Sequence, residues 1–126
     1  MTDTPAPTLA SEIRTAAEKL RALATAASTD GRRKNAPTAR WHFKKRDNRG
    51  YIYSENPVGP GVRITPSTPA SPGMRPEHGE YAATMDPTVG LLLADLLEDQ
   101  ADGDDQGEIN PWALALAREL NGGEQQ

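Results

Sequence analysis

The sequence predicts a small α+β domain: three amphipathic helices packed with one short antiparallel β-hairpin, and a long Pro-rich loop between them. Three observations lead there. Leu9, Ile13, Ala16, Leu20, Leu23 and Ala27 recur at spacings of four and three, which lines one face of a helix. Residues 40–46 alternate apolar and basic side chains and are followed by turn chemistry and a Tyr-Ile-Tyr return. Asp86-Pro87 and Asn110-Pro111 each set a capping side chain before a proline, at the head of a Leu/Ala run.

Taken in order, residues 1–7 are polar with two prolines and read as a frayed tail. The first helix is expected over Thr8–Ser28, with Thr8 as N-cap and Asp30-Gly31 as its stop. Residues 30–39 read as a flexible basic loop. In the first strand, Trp41, Phe43 and Lys45 point one way and His42, Lys44 and Arg46 the other. Asp47-Asn48-Arg49-Gly50 reads as the turn, with Gly50 free to take positive φ, and Tyr51-Ile52-Tyr53 as the returning strand.

Residues 54–79 form the Pro-rich connection, in which Val62–Thr65 is a candidate edge strand. Glu80–Met85 is long enough for one helical turn. Val89, Leu92, Leu93, Leu96 and Leu97 then give a wide apolar stripe running to about Gln100. Trp112, Leu116 and Leu120 carry the last helix, which Asn121-Gly122-Gly123 ends. The expectation is one domain over 8–121, with 122–126 as a second tail.

Composition narrows the function. Leu, Ile, Val and Phe number 19 of 126 residues, about 15%, so the core is small and a large enclosed pocket is excluded. The absence of cysteine removes disulfides, thiolate metal sites and thiol nucleophiles. His42 and His78 are the only imidazoles. His78-Gly79-Glu80 lacks the Cys pair that a zinc deaminase needs. The acidic loop 99–109 invites an EF-hand reading with Asp102 as first position, but Pro111 then stands at the tenth and Ala113 at the twelfth, where a bidentate Glu is required. No catalytic residue, metal site or cofactor is expected. No segment approaches the roughly 20 apolar residues of a spanning helix, and no leader is visible, so a bacterial cytoplasmic protein without membrane contact is expected.

The net charge of −4 conceals an asymmetry. Residues 1–63 carry 12 basic and 6 acidic side chains, and residues 64–126 carry 2 and 12. Eight basic residues fall between Arg32 and Arg49. Arg40, Trp41, Lys44, Lys45, Arg46, Arg49 and Tyr51 are therefore candidate nucleic-acid contacts, cations for phosphates and rings for bases. Against this stands the simpler reading, in which the aromatics face the core and the cations are solvated. The acidic C-terminal third, with Asp99, Asp102, Asp104 and Asp105, is a candidate polyanion mimic. Leu9, Ile13, Leu20, Leu23, Val89, Leu92, Leu93 and Leu96 are candidate residues of a homo-oligomer interface.

The order of pieces also resembles a known family. Leu20-Arg21-Ala22-Leu23-Ala24, then Trp41, then Glu80-Tyr81-Ala82-Ala83-Thr84-Met85-Asp86-Pro87, then the Leu/Ala runs 91–98 and 113–118 are similar to the small early-region accessory proteins of lambdoid phages and their actinobacterial phage and prophage relatives. That resemblance implies a non-enzymatic accessory protein acting on a host or phage partner, with Trp41 and Tyr81 as packing residues.

Overall fold

The computed structural model describes residues 8–31, 36–57, 59–103 and 107–122. Over these residues the fold is α+β, with four helices and two antiparallel sheets. The element order is α1 (Leu9–Ala26), β1 (Thr29–Asp30), β2 (Ala36–Pro37), β3 (Trp41–Arg46), β4 (Arg49–Ser54), β5 (Val62–Arg63), α2 (Pro76–Thr84), α3 (Pro87–Ala101) and α4 (Pro111–Leu120). β1 pairs with β2, and the second sheet runs β3-β4-β5. None of the described helices is long and apolar enough to cross a membrane. The described residues group into two compact units, one from residues 8–22 and 91–122, the other from residues 23–90.

The first unit is an Ala-rich helical cluster. Ile13, Ala16, Ala17, Leu97, Ala101, Ala113 and Ala117 form its buried centre, with Leu20 and Leu120 packed against it. Alanine at so many central positions lets helix axes approach closely, since the interaxial distance is set by the side chains at the contact. The helices start as their sequences dictate. The Ser11 N–H donates to Thr8 Oγ1 at 3.0 Å. Asn110 Oδ1 accepts from the N–H groups of Trp112 and Ala113 at 2.8 and 3.2 Å. Both side chains satisfy donors that the first helical turn leaves unpaired.

The second unit is built on the β3–β4 ladder, in which Trp41 faces Ser54, Phe43 faces Ile52 and Lys44 faces Tyr51. α2 packs on the Phe43 side. A Cβ on Gly79 would overlap the Phe43 ring, so the missing side chain is what admits the aromatic under the helix. Ile52, Val62 and Ser54 are fully buried there.

Several expectations need correction. The stretch expected to give one turn at 80–85 is a nine-residue helix beginning at Pro76, which adds a fourth, short helix among the described residues to the three expected. α1 stops at Ala26, two residues early. Thr38 Oγ1 donates to the Ala27 carbonyl at 2.6 Å, and the Ser28 hydroxyl donates to that of Ala24 at 2.7 Å; both answer carbonyls that the helix end leaves free. The hairpin turn is only Asp47-Asn48, and Asp47 takes the positive φ of 55°. Gly50 lies inside β4, pressed against Lys44 and Phe43. The basic loop 30–39 contributes to the small β1–β2 ladder; Arg32, Arg33 and Lys34 lie outside the described residues.

The Pro-rich segment is not simply a loop. β5 pairs with the end of β4, and the Ile64 N–H donates to the Ile52 carbonyl at 2.8 Å. Gly50 and Met74 then exchange two backbone bonds of 2.8 Å each. The segment therefore lies along the free edge of β4 at three places. Its prolines suit that position, because a residue without an N–H cannot offer the next strand a ladder.

Candidate nucleic-acid interface

Strand periodicity divides the hairpin into two faces. On one, Trp41, Phe43 and Ile52 turn inward. The Trp41 indole N–H donates to the Thr38 carbonyl at 2.7 Å, a partner that lets the ring lie half-buried. On the other face the register sets His42 opposite Tyr53 and Lys44 opposite Tyr51, and Arg63 on β5 stands opposite Tyr53. Both tyrosines are half-buried, and the imidazole and the Lys44 ammonium are exposed.

These side chains form a continuous row. The His42 and Tyr53 ring centroids are 5.4 Å apart with an interplanar angle of 31°. Tyr51 and Tyr53 are 6.2 Å apart. The Arg63 guanidinium lies 4.1 Å above the Tyr51 ring, within cation–π range. Two depressions flank the row and share Tyr53 and Gly61. One, of about 500 Å³, is lined by Arg40, His42, Glu55 and Asn56. The other, of about 560 Å³, is lined by Lys44, Lys45, Tyr51 and Arg63. Each falls within the range of small-ligand pockets.

The structure brings together only part of the predicted set. Arg40, Lys44, Lys45 and Tyr51 border these depressions. Lys45 and Arg46 are exposed at the hairpin end. Arg49 is turned aside: its Nε donates to the Gly73 carbonyl at 2.9 Å, which holds the Pro-rich segment to the hairpin. Trp41 lies on the opposite face and drops out of the candidate surface. His42 and Arg63 were not among the predicted contacts. The alternation already sets His42 beside Lys44, whereas Arg63 joins only through the pairing of β5 with β4.

The predicted oligomer residues separate as well. Ile13 is fully buried in the helical core and offers no surface, whereas Leu20 is half-buried and packs against that core. Val89 and Leu93 are half-buried. Leu9, Leu23, Leu92 and Leu96 are exposed, the last two at 65% and 55%. Leu93 and Leu96 line an apolar groove of about 350 Å³ with Leu97, Leu116 and Trp112, the last of which is 82% exposed. Tyr81, cast as a packing residue by the family resemblance, is 73% exposed.

Elsewhere the described ion pairs tie helix to helix. Arg118 holds the Glu12 carboxylate through Nε and Nη2 at 2.9 and 3.2 Å, which keeps that carboxyl below its ordinary pKa. Arg21 donates to Asp95 and Glu98, each at 3.0 Å, which raises its own pKa. Arg14 pairs with Asp102 at 2.9 Å. Much of the described acidic surface of α3 is thus engaged within the chain; Asp104 and Asp105 lie outside the described residues. Among the described residues, no group of three or more His, Asp or Glu is disposed to hold a metal ion. No family model, curated protein or solved structure matches this chain.

Proposed function

We propose that this chain is a non-catalytic binding protein of the phage-accessory type, and that the outer face of its three-stranded sheet binds single-stranded nucleic acid. One observation carries the reading: the register collects His42, Tyr53, Tyr51, Lys44 and Arg63 on one face while Trp41 and Phe43 serve packing on the other. Rings on an open sheet face offer stacking platforms for unpaired bases, and flanking cations neutralise the backbone. A core needs its aromatics inside; this sheet keeps two tyrosines on the side away from Phe43 and sets cations beside them.

Fluorescence anisotropy with short single-stranded DNA and RNA, from low to moderate salt, tests this. Lys44→Ala is expected to weaken binding and lower the magnitude of the salt slope by about one. Tyr53→Ala is expected to cost about 1–3 kcal/mol. No binding at low salt, or binding indifferent to Tyr53 and Lys44, would reject the reading.

A second reading, self-association, is favoured by a separate observation. Leu92, Leu96 and Trp112 are large, apolar and exposed, and two of them border the α3–α4 groove. Apolar patches of this kind on small proteins mark interaction surfaces. The two readings use different elements and are compatible.

A further inference from the structure

We infer that the depression beside Tyr53 is a base-selective subsite that prefers guanine, with Glu55 as the selecting group; this rests on the reading of the sheet face above. The two depressions that share Tyr53 differ in chemistry. One presents the cations Lys44, Lys45 and Arg63. The other holds Arg40, His42, Asn56 and a carboxylate, Glu55. A nucleotide stacked on Tyr53 would divide accordingly, its phosphate toward the cations and its base edge toward Glu55.

A carboxylate beside a phosphate-binding surface weakens binding through like-charge repulsion unless it meets hydrogen-bond donors. Glu55 is lightly engaged: its side chain is 73% exposed, and its Oε1 lies 4.0 Å from His42 Nε2, an ion pair when the imidazole is protonated and too long for a hydrogen bond. Guanine supplies what a carboxylate accepts. Its N1–H and N2–H₂ are adjacent donors that match two carboxylate oxygens, and its neighbouring O6 suits a guanidinium such as that of Arg40. Adenine and cytosine each offer one amino donor beside a ring acceptor that repels the second oxygen. Thymine and uracil offer one N–H between two carbonyls.

Binding of all-thymine hexadeoxynucleotides, and of the same strands with one central guanine, adenine or cytosine, tests the inference on the full chain and on Glu55→Gln. The guanine strand is expected to bind the unaltered chain at least fivefold more tightly than the other three. In Glu55→Gln the preference is expected to vanish by crossing: guanine binding falls, and binding of the other strands rises because a repulsive charge is gone. Equal binding of all four strands by the unaltered chain would overturn the guanine subsite and leave the sheet-face reading standing. So would a uniform rise for all strands in Glu55→Gln. No binding of any strand at low salt would overturn both. Circular dichroism of Glu55→Gln checks that an exposed, isosteric change leaves the fold intact.

Discussion

The Asp86 carboxylate joins the start of a helix to the start of a strand. Its Oδ1 accepts the Val89 N–H at 3.0 Å, capping α3, and its Oδ2 accepts the Trp41 N–H at 3.1 Å. Thr88 reinforces the joint, donating through its N–H and its hydroxyl to the Ala39 carbonyl at 3.1 and 2.9 Å. Asp86→Ala removes both acceptors and is expected to destabilise by about 2–4 kcal/mol, a lost cap plus an orphaned strand donor. Asp86→Asn keeps one acceptor oxygen and should lose about half as much. Urea denaturation gives the loss, and faster hydrogen exchange at the Trp41 amide locates it.

Gly79 tests the packing beneath α2. Glycine to alanine inside a helix ordinarily stabilises by up to about 1 kcal/mol. Here the Cβ would meet the Phe43 ring, so Gly79→Ala is expected to reverse the sign and destabilise by about 1–3 kcal/mol. Combining it with Phe43→Leu should return part of that loss. Thermal melts of the two single variants and the double variant measure the coupling.

Ile13 and Leu9 share one apolar stripe and differ in burial. Ile13→Ala is expected to cost about 2–5 kcal/mol, because it empties the centre of the Ala-rich cluster. Leu9→Ala, on an exposed side chain, is expected to change stability by less than about 0.5 kcal/mol. Denaturant midpoints of the two variants decide it.

The Glu12–Arg118 pair predicts a response to acid. The folded-state pKa of Glu12 is lowered by the Arg118 hydrogen bonds. Its contribution to stability is therefore fully present above the ordinary carboxylate range and is lost as pH falls through the lower folded value. Glu12→Gln should be less stable than the unaltered chain at neutral pH, and the gap should close as the carboxyl titrates. Melting temperatures of both chains from pH 7 down to pH 3 measure the gap. A gap constant across that range would contradict the pairing.

The exposed apolar residues of the helical unit predict concentration-dependent mass. Leu96→Glu and Trp112→Ala are each expected to shift any dimer toward monomer in analytical ultracentrifugation, with helical content unchanged. Ile13→Glu, by contrast, should unfold the unit, because it buries a charge.

Much of the fold was legible in the sequence because local chemistry decides it. Asp86-Pro87 and Asn110-Pro111 each head a helix, as a capping side chain before proline predicts, and the alternation at 41–46 fixes which hairpin side chains share a face. The candidate site was half legible for the same reason. Composition and alternation point to Lys44 and Tyr51, whereas the same alternation sets Trp41 with Phe43 on the other face, away from the candidate surface.

What the sequence alone determined is therefore the starts of α1, α3 and α4, the hairpin and the small size of the core. What only the tertiary structure decided is which face of each element is covered. Arg63 enters the aromatic row through β5, ten residues away along the chain from Tyr53 and opposite it in the sheet. The Pro-rich segment acquires structure by bonding to the β4 edge at Ile52 and Gly50. Ile13 and Leu96 look alike as members of apolar stripes, and only packing makes one a core residue and the other a surface. Periodicity records which side chains lie together on one element; burial depends on the element that lies across from it.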